Sequence, residues 1–140
     1  MNRLFIDTNI VLDLLAKRKE YAAAAGVFTL GDKGMVELFV SSLTFANTNY
    51  ILDRQLRKES TIKVLRDLEL VVTIIDLSGK IIRLALNDDD FKDFEDGLQY
   101  YSALENKMDY IITRNLKDFS TSKIPVLTAD QYLEINKKSK

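Results

Sequence analysis

The amino-acid sequence predicts an α/β fold, three layers deep (α/β/α), with a central parallel sheet of four or five strands. Three observations predict it. Short apolar or β-branched runs alternate along the chain with segments of helical periodicity, the signature of parallel strands joined by helical crossovers. Runs such as Leu4-Phe5-Ile6 are apolar at successive positions, as in strands covered on both faces. The 140 residues include five glycines and one proline and carry no repeat or linker-like stretch, which fits one compact unit. A single domain over residues 1–136 is expected, with 137–140 as a polar tail.

Leu4-Phe5-Ile6 ends in Asp7-Thr8-Asn9, so a buried strand is expected to pass straight into a helix carrying Ile10, Val11, Leu14 and Leu15. Tyr21 to Leu30 forms a second helix, with Gly31 and Gly34 as its stops. Glu37 to Val40 is a second strand. From Ser42, the residues Leu43, Ala46, Asn47, Tyr50 and Ile51 recur at i, i+3, i+4, i+7 and i+8. That spacing predicts a third helix with Asn47 on an inward apolar stripe. Phe28, Phe39, Phe45 and Tyr50 are expected in the core.

Ser60 is placed to cap a fourth helix through Leu68, and Val71 to Ile75 reads as a β-branched strand. Ser78 or Gly79 starts a fifth helix that ends near Asn87. Asp88-Asp89-Asp90 is an acidic loop, after which Asp93 to Asp96 opens a long helix reaching Asn106. Tyr110 to Thr113 is the next strand, and a loop through Lys123 leads to a short strand at Ile124 to Leu127. Thr128 or Asp130 caps a last helix, and the polar stretch from Asn136 to Lys140 is expected to fray.

Composition excludes several chemistries. The 20 basic and 21 acidic residues nearly balance, leaving a net charge of -1 and no long-range field that would advertise nucleic acid. Local basic runs at Lys17-Arg18-Lys19 and Arg54 to Lys58 are candidates for phosphate contact, but a solvated helix face is the commoner explanation of such runs. With no cysteine there is no disulfide, thiolate zinc site or cysteine nucleophile, and with no histidine there is no Ser-His-Asp triad or HExxH site. Catalysis would rest on carboxylates, amides, hydroxyls, lysine, arginine, or a metal held by oxygen. No apolar signal region follows Met1 and no stretch reaches the length of a membrane span. A soluble cytoplasmic protein with no membrane partner is expected.

In open parallel sheets, ligands bind outside the carboxyl ends of the strands, and three acids fall where that rule applies. Asp7 follows the first strand, Asp118 lies in the loop after Tyr110 to Thr113, and Asp96 is in the first turn of the preceding helix. Oxygen ligands gathered this way suit Mg²⁺ or Mn²⁺ and metal-assisted attack of water on a phosphodiester. Each acid also has a plain structural reading. Asp7 suits a helix N-cap, Asp93 with Asp96 has capping-box spacing, and Asp118 suits a turn.

The acids sit in a recognisable context. The segment from Arg3 to Asp13, with Asp7-Thr8-Asn9 after an apolar strand, resembles the opening of PIN domains. Ser41, Thr44 and Asn47 match the spacing of that family's second motif, Asp93 to Ala103 is similar to the third, and Asp109 to Phe119 resembles the fourth. Ile124 to Thr128 matches the usual exit strand, so the resemblance spans nearly the whole chain. It implies a PIN-like fold and a Mg²⁺- or Mn²⁺-dependent ribonuclease acting on RNA, of the VapC-like toxin kind. Asp7, Asp96 and Asp118 would be catalytic and would hold the metal, with Asn9 and Thr113 in support and Arg114 and Lys117 toward the RNA backbone. An antitoxin protein and a homodimer are the partners implied. Arg114 has an equal alternative role, neutralising a nearby acid.

Two positions depart from the family pattern. Asn47 stands where the second motif ordinarily supplies Glu, and Asn115 where the fourth often supplies Asp. Both amides remain candidate supporting residues, but two lost charges favour one metal over two. They also motivate an alternative, a catalytically impaired PIN-like module that binds RNA or protein. Phosphoryl transfer of the phosphatase or receiver type fits less well, because Asn9 stands where such phosphatases place a second Asp and no late-strand lysine is suitably placed.

Overall fold

Residues 1–138 are described by a computed structural model of the chain. The elements are β1 (Asn2–Ile6), α1 (Thr8–Leu15), α2 (Tyr21–Asp32), β2 (Val36–Ser41), α3 (Ser42–Leu52), α4 (Lys58–Val71), β3 (Thr73–Ile75), α5 (Gly79–Leu86), α6 (Phe94–Glu105), β4 (Tyr110–Ile112), β5 (Val126–Leu127) and α7 (Ala129–Lys138). A 3₁₀ turn at Leu116–Phe119 lies between β4 and β5. The strands form one sheet in the order β3-β2-β1-β4-β5, and every pairing is parallel.

Alternation along the strands builds the three layers. Leu4, Ile6, Leu38, Val40 and Ile112 join one apolar cluster with residues of α1, α2, α4 and α7. Phe5, Phe39, Ile75 and Ile111 point the other way, toward Tyr100 and Ala103 of α6. Ile81 and Ala85 of α5 pack on Leu98 of α6 to complete that second layer. Leu4, Phe5 and Ile6 have no exposed surface, and burying such a side chain contributes about 1.5–3 kcal/mol. β1 is therefore the strand around which both layers condense.

Capping chemistry follows the sequence at several helix starts. Asp7, Ser41, Ser78 and Asp93 accept backbone N–H bonds at the starts of α1, α3, α5 and α6. Thr128 and Gln131 exchange reciprocal bonds at the start of α7. Gly34 has a positive φ of 71° in the turn into β2, a conformation that favours glycine. Gly31 does not stop α2. It lies inside the helix, where a Cβ would come within 2.5 Å of Leu38 Cδ1.

Other expectations require correction. α4 starts after Arg57 rather than at Ser60 and runs through Val71, so the strand begins only at Thr73. As an edge strand β3 needs only three residues to pair with Phe39, Val40 and Ser41 of β2, and local β propensity at Val71 yields to continuation of the helix. The stripe expected on α3 is also not its buried face. Thr44, Thr48 and Leu52 are buried, whereas Ala46 is exposed and Tyr50 is 63% exposed. Thr44 turns inward because its hydroxyl meets Thr8 Oγ1 and Gln99 Nε2, a tertiary pairing that periodicity of apolar residues does not register, whereas the buried Thr48 hydroxyl has no such partner. Phe45 is half-buried, Thr113 falls just beyond β4, β5 is confined to Val126–Leu127, and α7 extends through Asn136 to Lys138. The last two residues of the expected tail lie outside the described residues.

Candidate active site

The strand order places the site. From β1 the chain moves outward to β2 and β3, then returns on the other side of β1 as β4 and β5. The carboxyl ends of β1 and β4 are thus adjacent at the point where the order reverses, the location at which open α/β sheets take ligands. Asp7 leaves β1 and Thr113 leaves β4 at this point. Their side chains meet, with Thr113 Oγ1 donating to Asp7 Oδ2 at 2.7 Å.

Asp7 is 7% exposed and collects further donors. Thr8 N donates to Oδ1 at 2.8 Å, Asn9 Nδ2 donates to Oδ2 at 3.0 Å and Gln99 Nε2 donates to Oδ1 at 3.2 Å. Asn9 also bridges to Thr113 Oγ1 and accepts from Arg114 N. Thr8 Oγ1 and Thr44 Oγ1 share a 2.7 Å bond, which ties this network to the buried face of α3. Asp7 therefore caps α1 and is also the hub of a polar network; the two roles coexist.

A cleft of about 370 Å³ opens beside it, with Asp7, Asn9, Asn47, Glu95, Asp96 and Gln99 among its lining residues. Asp96 also borders a second depression of about 280 Å³ that contains Asp93, Lys117 and Asp118. Asp96 thus stands between Asp7 and Asp118. Burial pushes its carboxyl up to about 7, and the neighbouring Asp118, Asp93, Asp7 and Glu95 charges push in the same direction. Burial likewise raises the Asp7 carboxyl, bonds from Thr113, Gln99 and Thr8 pull it back, and Asp118 adds repulsion.

Residues 3–117 match the PIN domain family. The chain is also 30% identical over 142 residues to ribonuclease VapC1 of Aquifex aeolicus (strain VF5), covering 94% of each sequence. The chain belongs to the PIN domain family. Within it the kinship is to the VapC toxin ribonucleases. Among solved structures, this PIN domain superposes on VapBC-1 from nontypeable Haemophilus influenzae with TM-score 0.71 at 18% identity, covering 91% of this chain and 98% of that one. A toxin-antitoxin complex from Klebsiella pneumoniae gives TM-score 0.67 at 24% identity, covering 90% and 97%.

The remaining expected residues of this PIN domain are distributed unevenly. Asn47 lines the cleft with Asp7 and Asp96. Lys117 and Asp118 are exposed on the 3₁₀ turn. Arg114 Nε lies 3.0 Å from Asp13 Oδ2, and with Asn115 it borders both a depression of about 330 Å³ beside Asp13 and an open one of about 570 Å³ shared with Lys117 and Asp118. Asn115 touches the site through its backbone, its N–H donating to Thr113 Oγ1. Gln99 is the site residue that sequence reasoning passed over. The available signal was a polar residue three positions after Asp96 in the otherwise largely apolar run Leu98 to Ala103.

Whether the residues suit a divalent cation is a matter of donor chemistry and placement. The donors are hard oxygens, and mutual repulsion at Asp96 is what a cation relieves. Among the described residues no three acidic side chains already converge as a metal-holding group. The donor type fits a hard divalent cation, and of its carboxylates Asp96 is half-buried and Asp118 exposed. No described helix is long and apolar enough to cross a membrane.

Proposed function

We propose that this PIN domain is a Mg²⁺- or Mn²⁺-dependent endoribonuclease that hydrolyses RNA phosphodiesters, the toxin member of a toxin-antitoxin pair. The observation that carries the reading is geometric: Asp7 stands at the β1–β4 reversal point and shares a cleft with Asp96, which also borders the depression holding Asp118. Those three carboxylates would hold the cation. When bound, it supplies polarisation of a phosphoryl oxygen and a lowered pKa for water.

The chain's own groups supply orientation. Thr113 and Asn9 fix the Asp7 carboxylate from one side and Thr8 N and Gln99 from the other. A carboxyl pushed up to about 7 is half protonated near neutrality, so proton and cation compete for Asp96. Lys117, exposed beside Asp118, would meet an RNA phosphate. Arg114 is a weaker candidate for that contact because Asp13 holds its Nε. Kinship to a VapC ribonuclease, and a fold shared with a chain of a toxin-antitoxin complex, support an antitoxin partner; a homodimer would be tested by light scattering of the purified chain.

The test is incubation of the purified protein with single-stranded RNA in Mg²⁺, Mn²⁺ or EDTA. Cleavage should require metal and be lost in Asp7→Asn. Cleavage that persists in EDTA or in Asp7→Asn contradicts the mechanism. Asn47 in the cleft favours a second reading, a binding module without turnover. RNA retention in a gel-shift assay without cleavage in any divalent metal would establish that one instead.

A further inference from the structure

Asp7 accepts four hydrogen bonds, two on each oxygen. An ionised carboxylate offers about four lone-pair positions. A cation that ligates Asp7 directly therefore has to replace one of the donors. Thr8 N belongs to the backbone of α1, and Thr113 Oγ1 makes the shortest bond of the four at 2.7 Å. Asn9 Nδ2, at 3.0 Å, is braced by Thr113 as well. The Gln99 bond is the longest at 3.2 Å, and the same amide nitrogen is shared with Thr8 Oγ1 and Thr44 Oγ1 at 3.3 and 3.4 Å. Those lengths are at the weak end for N–H···O bonds. It is the donor that yields at least cost.

The opposite end of that amide is unpaired. Gln99 is 3% exposed, and its Oε1 is buried without a hydrogen-bond partner. A buried acceptor left unsatisfied costs about 1–3 kcal/mol. A half-turn of the terminal amide exchanges Nε2 with Oε1, and the torsion involved is broad rather than confined to staggered wells. Gln99 stands one helical turn after Asp96 and lines the same cleft as Asp7, Asp96 and Asn47. Amide carbonyls are ordinary ligands for hard divalent cations. This one adds no charge to a cleft in which acids already repel one another.

We propose that Gln99 belongs to the cation-binding set of this cleft. Its amide donor holds Asp7 in place, and when a divalent cation takes that lone pair the amide turns over and offers its carbonyl oxygen. The inference rests on the metal-dependent reading above and adds to it a neutral ligand on α6, placed where Asn47 contributes no charge.

The test measures Mn²⁺ binding by electron paramagnetic resonance in the parent, Gln99→Leu and Gln99→Glu, without reference to activity. Gln99→Leu should bind about tenfold more weakly, as expected for loss of a group that supports a metal site, and Gln99→Glu should bind at least as tightly as the parent. In parallel, the Gln99 side-chain NH₂ resonances of the ¹⁵N-labelled parent should shift during Mg²⁺ titration. That second measurement decides the matter if Gln99→Leu does not fold. Equal Mn²⁺ affinity in Gln99→Leu, or unmoved Gln99 resonances at saturation, would make Gln99 only a brace and leave the nuclease reading standing. A parent that binds no Mn²⁺ overturns both.

Discussion

Arg114 Nε lies 3.0 Å from Asp13 Oδ2, tying the loop after β4 to α1 through a carboxylate with no exposed surface. The contact is an ion pair without a well-aligned hydrogen bond, since neither Asp13 oxygen has a hydrogen-bond partner. Burial raises the Asp13 carboxyl above its ordinary value despite the opposing charges of Arg114 and Arg18. Removing one partner of a buried pair strands the other. Arg114→Met should lower unfolding stability by about 2–3 kcal/mol in urea titrations, less than a fully enclosed pair because Arg114 is partly exposed. Asp13→Asn should cost less, and the double variant should recover most of the Arg114→Met loss. A harmless Arg114→Met would return this arginine to consideration as an RNA contact.

Tyr101 Oη donates to Asp88 Oδ2 at 2.6 Å, linking α6 to the acidic loop after α5. That bond, with burial and the Asp88 charge, pushes the phenol from 10.0 up to about 12. A raised folded-state pKa means the contribution is fully present below pH 10 and is lost as pH rises through about 12. Tyr101→Phe should cost about 1 kcal/mol at neutral pH. Between pH 10 and 12 its stability should fall less steeply than the parent's, and parallel curves would show that the bond is not made in solution.

Asp96 follows the same sign. Its carboxyl is raised from 3.8 to about 7 by burial and by neighbouring acids, so the folded state is favoured below pH 3.8 and penalised as pH rises through about 7. Measured in EDTA, Asp96→Asn should be more stable than the parent at pH 8, with the difference vanishing near pH 4. An Asp96→Asn variant that is less stable at pH 8 would mean that Asp96 is held by partners outside the acid cluster.

The parts of this molecule legible in the sequence were those in which local pattern and tertiary burial agree. Leu4, Phe5 and Ile6 are apolar at every position and buried at every position, and the Asp7, Ser78 and Asp93 caps lie where short side-chain oxygens can meet free N–H groups. α3 was harder because its buried face includes Thr44 and Thr48, and Thr44 looks like surface until Gln99 and Thr8 arrive from distant segments. Arg114 beside an acid was readable, yet its partner came from α1 rather than from the aspartate cluster. Gln99 was hidden for a related reason. Its meaning lies in contacts 92 and 55 residues away, with Asp7 and Thr44, which no local window contains.

Asn47 offers the sharpest test of how the cleft is charged. It faces Asp7, Asp96, Glu95 and Gln99 across one cavity, so Asn47→Glu adds an anion to a group whose members already repel. Without divalent metal the variant should be less stable than the parent at neutral pH. With metal the added ligand should tighten Mn²⁺ binding about tenfold, because ligand charge tunes affinity at such sites, and RNA cleavage should rise with it. A parent inert toward RNA and a variant that cleaves would show that the missing carboxylate alone separates a binding module from a nuclease. Unchanged Mn²⁺ affinity in Asn47→Glu would place the cation away from α3, toward Asp118 and Lys117 on the far side of Asp96.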